Sequence, residues 1–260
     1  MKELHYLKYF RIDQKISLRS MAPPPPHGRV ERLTVNLYAI GAGQFDLKLP
    51  YRLQPGEDYP FVPGMPFELL SDSFGLGIRL TGMFNEQINN DVIRLTVYPD
   101  LQVFQRRQHA RVDMNIGLRY TRGSGKLRTF QSQWERNVLA IQRGQDLSKL
   151  GAFPRCQANL SAGGIGFHLK KPVRDADLCL LLMELEPQTP PICALAEIVW
   201  SFEITDAEWW RCGLQYINIL EEDQKRLDKF VKDNGGVVSK PPPPKEPERP
   251  RPQTQTKKKK

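Results

Sequence analysis

CQANLSAGGIGFHL, residues 156–169, decides how the rest of the chain is read. Asn159, Ser161 and Gly164 form an N-x-S-x-x-G turn that runs straight into an apolar strand. Asn159 offers an amide with both donor and acceptor, able to read the edge of a nucleobase, and Ser161 offers a hydroxyl. Gly163 and Gly164 permit close backbone approach and positive φ. Upstream, FQRRQHARVD, residues 104–113, gathers Arg106, Arg107 and Arg111 where a strand begins. Guanidinium forks grip phosphate oxygens in bidentate fashion and also stack on planar rings. The four-residue spacing of Arg107 and Arg111 carries little by itself in so arginine-rich a chain. Together the two stretches describe a pocket for a purine with phosphates attached.

Outward from these motifs the pattern is mostly of period two. Leu33, Val35 and Leu37 alternate with Thr34 and Asn36, Phe45, Leu47 and Leu49 with Asp46 and Lys48, and Ile93, Leu95 and Val97 with Arg94 and Thr96. Such alternation marks strands with one buried face. The breaks GAGQ, LQPGEDYPFVPGMP and FNEQINND are turn chemistry. Strand signals resume from Val112 to Tyr120, and in five segments between Cys156 and Ile217. Between Thr129 and Arg143 the spacing of Phe130, Trp134, Val138, Leu139 and Ile141 predicts a short amphipathic helix. A second helix is predicted over EEDQKRLDKFVKDNGG, acidic at its start and stopped by Gly235 and Gly236.

Composition excludes several classes. The chain has 260 residues, 40% hydrophobic and 26% charged, which suits two globular domains rather than a disordered chain. Its net charge of +9 is uneven: residues 240–260 hold eight basic and two acidic side chains, which leaves only +3 for the remainder. A body so nearly balanced is not expected to bind nucleic acid stably. Cys156, Cys179, Cys193 and Cys212 show no CxxC pair and read as small apolar residues in a reducing compartment. No metal spacing, GxxxxGK[ST] loop or nucleophile with a base within reach is visible, so an enzyme is not expected. His109 and His168 read as ordinary strand residues. With no secretory leader and no apolar run long enough to span a membrane, a cytoplasmic location is expected. Proline runs at residues 23–26 and 241–244 bracket the folded part and read as polyproline arms.

RxxxR at Arg107 and Arg111, followed by NxSxxG at Asn159, Ser161 and Gly164, resembles the PilZ domain, whose signature is RxxxR with [D/N]xSxxG. AEIVW (residues 196–200) and GLQYINI (residues 213–219), before an acidic helix start, are similar to the way that family closes its barrel. The resemblance spans roughly residues 104–235, and the preceding β unit is similar to the amino-terminal half of flagellar-brake-type PilZ proteins. It implies a mainly β chain: an arm over 1–28, a split-barrel-like amino-terminal β domain over 29–103, a six-stranded antiparallel PilZ barrel with a C-terminal helix over 104–235, and a disordered Pro/Lys-rich tail over 236–260.

The resemblance also implies the ligand, cyclic di-GMP, a bacterial second messenger, and no resident cofactor. Arg107 and Arg111 would hold phosphates and stack on guanine, Asn159 and Ser161 would take the base edge and a phosphate, and Gly163 and Gly164 would admit the ligand close to the backbone. Arg106 would be a third cation on the interdomain connection and favour a stacked pair of nucleotides over one. The expected output is a change of interdomain orientation that regulates motility, biofilm or surface polysaccharide through an unidentified protein target in flagellar or polysaccharide machinery. One departure stands out: Asn159 lies 48 positions beyond Arg111, more than the short hairpin usual in the family, and residues 121–150 fill the gap with the predicted helix. Two other function classes remain open on the residues, a PilZ-like module working by protein contact alone and a small barrel binding single-stranded nucleic acid.

Overall fold

A computed structural model describes residues 6–21, 29–51, 61–73, 75–105, 108–123, 127–144, 152–174, 176–187, 189–204 and 208–238. Both proline runs, Arg106 and Arg107 lie outside them.

The first unit is built from β1 (Lys15–Ser20), β2 (Arg29–Gly41), β3 (Gln44–Lys48), β4 (Pro66–Ser73), β5 (Leu76–Gln87) and β6 (Val92–Val97). These pair in the order β1-β4-β5-β6-β3-β2, and pairing of β1 with β2 closes the ring into an antiparallel barrel. A short strand, β7 (Gln102–Phe104), adds to β5 outside this ring. The alternation seen in the sequence becomes the core: Val35, Leu37, Phe45, Leu47, Ile93 and Leu95 are all buried, each stabilising the fold by about 1.5–3 kcal/mol relative to exposure. The sharp β2–β3 turn requires positive φ, which Gly43 supplies at 70°.

The expectation of an arm over 1–28 needs correction. Strand β1 lies within that stretch and pairs on both sides, with β2 and β4. Ile16 and Leu18 are core residues, and Phe10 is buried with its ring edge-on to Phe45. The strand is too short for period two to register, with only two apolar residues in KISLRS.

The second unit comprises β8 (Val112–Gly123), β9 (Arg155–Ser161), β10 (Gly164–Lys170), β11 (Leu178–Glu184), β12 (Ile192–Glu203) and β13 (Trp209–Leu220). Their order is β13-β10-β9-β8-β11-β12, and β12–β13 pairing closes a six-stranded antiparallel barrel, as expected from the sequence. Ile116, Leu160, Ile165, Leu181, Leu214 and Tyr216 fill its interior. Helix α2 (Glu221–Asp233) follows β13 directly and contributes Leu227 and Val231 to that core.

Helix α1 (Leu127–Gln142) occupies the long β8–β9 connection and matches the helix predicted there. Leu127, Phe130, Trp134 and Val138 form its buried stripe, and the Trp134 indole N–H donates to the Cys193 carbonyl at 3.1 Å. Its apolar face joins the core of the first unit with Leu178, Leu180 and Leu195 of the second. The insert is thus a packed elaboration lying between the two barrels.

Both units are also joined through the backbone. The start of β2 pairs with the end of β13, with Glu31 opposite Asn218 and Val30 opposite Ile219. The Tyr51 hydroxyl donates to the buried Glu197 carboxylate at 2.5 Å across the junction. Cys179, Cys193 and Cys212 are buried, Cys156 is half-buried, and all four are free thiols, so they act as the small apolar residues expected. No helix among the described residues is long and apolar enough to cross a membrane.

Candidate functional site

Strands β8 and β9 are antiparallel neighbours with Val112 opposite Leu160 and Asp113 opposite Asn159. Arg111 directly precedes β8 and Ser161 ends β9, so both stand at the same end of this ladder. Directly opposed residues project to the same side of a sheet. Asp113 and Asn159 therefore share the outer face, while Ala158 and Leu160 turn into the barrel. Two pieces of chain far apart in sequence meet because the β8–β9 ladder pairs them, with α1 looped out of the way.

Within this face each polar group has a definite setting. The Asn159 amide donates to the Asp113 carboxylate at 2.9 Å, which fixes its orientation. Ser161 is buried, and its hydroxyl donates to the Gly164 carbonyl at 3.0 Å, bracing the turn between β9 and β10. Arg111 is exposed, and its backbone forms an isolated bridge with Val237, N–H to carbonyl at 3.2 Å in each direction. The segment Gly236 to Val238 is therefore not part of a free tail, a correction to the expected boundary at 236. Placement of Arg106 and Arg107 lies outside the described residues.

The glycines play a different part from the one expected. Neither Gly163 nor Gly164 has positive φ. A Cβ at Gly164 would stand 2.1 Å from the Leu214 carbonyl oxygen, and one at Gly163 would stand 2.9 Å from the His109 ring. Close approach is required, but to β13 and to His109. The Gly163 carbonyl accepts the Tyr216 N–H at 3.1 Å, locking the turn onto β13.

A cleft of about 650 Å³ opens beside this turn. One wall is Gln108, His109 and Ala110, the residues lying between Arg107 and Arg111; another is Ala162, between Ser161 and Gly163. Helix α2 forms the third, with Lys225, Lys229 and Lys232 lining the cleft together with Asp228 and Asp233. Gln224 ties the helix to the turn by donating to the Ala162 carbonyl at 3.0 Å. His109 is no strand residue: it precedes β8 and is half-buried in the cleft wall. Its pKa is lowered chiefly by burial, then by Arg32, with Lys232 and Arg111 acting the same way and Asp228 opposing. The imidazole is thus held neutral in a surround whose balance is positive, which suits an anionic ligand.

Sequence reasoning found the turn and Arg111 but missed His109 and the lysines of α2, which line the cleft beside that turn. For the lysines a signal existed: Lys225 and Lys229 stand four apart, hence on one helical face.

Residues 105–233 match the PilZ domain family. This segment is a PilZ domain. Among solved structures, the chain is similar to the inhibitor of motility MotI/DgrA of Bacillus subtilis, at 16% identity over 86% of this chain and 97% of that one, with a TM-score of 0.34. It is similar to the MrkH–c-di-GMP complex of K. pneumonia, at 16% identity over 85% and 87%, TM-score 0.31. A third is YcgR of Escherichia coli in complex with c-di-GMP, at 13% identity over 85% and 84%, TM-score 0.32. Comparison with curated proteins finds no match. The PilZ segment begins just after β7 and ends with α2, so both signature motifs and every cleft-lining residue except Val238 fall inside it.

Proposed function

We propose that the chain is a cyclic di-GMP receptor, without catalysis of its own, that answers the ligand by changing the orientation of its two barrels. The observation that supports the reading is the β8–β9 ladder, which brings the start of β8, just after Arg111, beside the end of β9 at Ser161, next to a cleft lined by three lysines and two aspartates. Arg107 and Arg111 hold phosphate and stack on guanine, Asn159 and Ser161 address base edge and phosphate, and Arg106 favours a second, stacked nucleotide. Gly163 and Gly164 serve this site by keeping the turn tight against His109 and β13.

The magnitudes are adequate. Charge-assisted hydrogen bonds contribute about 1.5–3 kcal/mol each, and a stacked guanidinium roughly 0.5–2 kcal/mol. Micromolar affinity needs about 8.2 kcal/mol net, so a few such contacts leave room to order a connecting segment at a cost of about 2–5 kcal/mol. Residues 105–111 connect β7, which is paired into the first unit, with β8 of the second. A ligand gripping this connection has different contacts in each relative orientation, which is what a population shift requires. The output is a contact with a protein target of motility or polysaccharide machinery.

Calorimetric titration of cyclic di-GMP into the full chain and into Arg107→Ala and Arg111→Ala variants tests the reading, with cyclic di-AMP as the control nucleotide. Expected are saturable binding by the unaltered chain, a stoichiometry near two per chain, and loss of at least about tenfold in each variant, equal to about 1.4 kcal/mol. Absence of heat with the unaltered chain would replace this reading with a PilZ module that works by protein contact alone. Binding to oligonucleotides of many sequences with steep salt dependence would replace it with a nucleic-acid binder.

A further inference from the structure

A second cavity, of about 250 Å³, lies at one end of the first barrel, where β1 ends and β2 and β4 begin. Leu18 stands opposite Leu33, and Ser20 opposite Phe67, so these strands turn one set of side chains toward the mouth. Leu18, Leu33, Phe61, Met65 and Phe67 give it an apolar floor, with the Phe61 and Phe67 rings edge to face at 5.4 Å. Helix α1, from the long β8–β9 connection, supplies the roof. The cavity shares no lining residue with the cleft beside the signature turn. Barrel mouths are preferred ligand sites, and this volume falls below the roughly 300–1,000 Å³ that suits drug-sized molecules. A small metabolite is the right size.

The polar lining says what kind. Asn218 of β13 reaches this cavity, is only 1% exposed, and has an Oδ1 with no hydrogen-bond partner. Its Nδ2 donates at 3.4 Å to the carboxylate of Glu31, which stands opposite on β2 and also lines the cavity. A buried acceptor without a donor is costly, so Oδ1 calls for one from a ligand. Oδ1 and the neighbouring carboxylate make an acceptor pair that suits an ammonium group. In the roof, Arg128 sits in the first turn of α1, a turn with no acidic residue, where helix dipole and guanidinium both favour a carboxylate. Among the lining charges, Glu31 and Glu135 balance Arg32 and Arg128. A ligand with one charge of each sign preserves that balance.

We propose that the mouth of the first barrel is a binding site for a free α-amino acid with a large apolar side chain. Its ammonium group donates to Asn218 Oδ1 and Glu31, its carboxylate lies at the first turn of α1 beside Arg128, and its side chain packs on Phe61, Met65 and Phe67. An acidic side chain would bury a charge against this floor, and glycine would leave the floor unfilled. Met65, with its flexible thioether, lets the floor adapt to leucine, methionine or phenylalanine. None of these residues belongs to the signature motifs, so the site adds an input of different chemistry from the nucleotide.

Calorimetric titration of L-leucine, L-methionine and L-phenylalanine into the full chain tests the site. The controls for each are the matching acid without its ammonium group and the matching amine without its carboxylate. At least one amino acid is expected to saturate one site per chain with a Kd below about 1 mM, and both of its controls to bind at least about tenfold more weakly. Asn218→Leu, which removes Oδ1, and Ser132→Trp, which fills the roof from an exposed position, are each expected to weaken binding at least about tenfold. Should Asn218→Leu not fold, the matched controls on the unaltered chain decide. No saturable binding by any of the three, a matching acid that binds as tightly as its amino acid, or unchanged affinity in Ser132→Trp would each overturn the proposal. The titration contains no cyclic di-GMP, so its outcome is separate from that of the receptor reading.

Discussion

Gly164 shows how a signature residue can be required by packing rather than by backbone conformation. With φ in the ordinary range, alanine there meets no torsional strain, but its methyl group would lie 2.1 Å from a backbone oxygen of β13. Backbone cannot yield as a side-chain tip can, so β10 and β13 must separate locally. Overpacking of this kind costs about 1–3 kcal/mol. Gly164→Ala is expected to lower stability by that amount in urea denaturation and to weaken cyclic di-GMP binding, because Ser161 and Asn159 move with the turn. Gly163→Ala should be milder in stability, since its neighbour is an imidazole edge that can rotate. The same residue-level logic explains Ser161: buried and bonded to Gly164, its hydroxyl sets the corner as well as offering an oxygen to a ligand.

Among elements, α2 combines structural and site roles. Glu221, Glu222 and Asp223 fill its first turn, where negative charge is favoured by the helix dipole, and Gly235 with φ of 81° ends it. Asp223 is nonetheless nearly buried, and burial raises its pKa to about 6 from 3.8, against the lowering effect of Arg226 at 3.0 Å. A raised folded pKa means that the folded state binds this proton more tightly than the unfolded state. Its stabilisation is full below about pH 3.8 and disappears as pH rises through about 6. A shift of this size corresponds to roughly 3 kcal/mol as an upper figure. Asp223→Asn removes the titration, so between pH 4 and pH 7 its stability relative to the unaltered chain should climb by about 1–3 kcal/mol; urea midpoints across that range provide the check. Helix α1 is the contrasting case: its buried stripe serves packing between the barrels, and none of its residues lines the cleft.

On the scale of the whole molecule, the two barrels are stitched by the β2–β13 ladder, by α1 and by the Tyr51–Glu197 hydrogen bond. Glu197 is almost completely buried, so its carboxylate depends on neighbouring donors, and Tyr51 Oη also accepts the Thr34 N–H at 3.2 Å. Tyr51→Phe keeps the ring and removes the hydroxyl, and is expected to destabilise the chain by about 1–3 kcal/mol in urea denaturation. On the proposed reorientation, the variant should also alter the change in radius of gyration on adding cyclic di-GMP, measured by small-angle scattering, because this bond joins the two barrels.

The sequence by itself determined the β character, both helices, the order of the barrel motifs and the identity of the turn at Asn159, Ser161 and Gly164. Each of these is written in local terms: period two, a helical stripe, turn residues at fixed offsets. It missed β1, whose two apolar residues were too few to show a period, and it placed His109 on a strand. Only the tertiary structure decided that Asp113 faces Asn159, that the signature glycines are pressed by His109 and Leu214, and that His109 and the α2 lysines line one cleft. Those relations depend on strand register and on barrel closure, which bring distant residues together through pairings that no local pattern in the chain encodes.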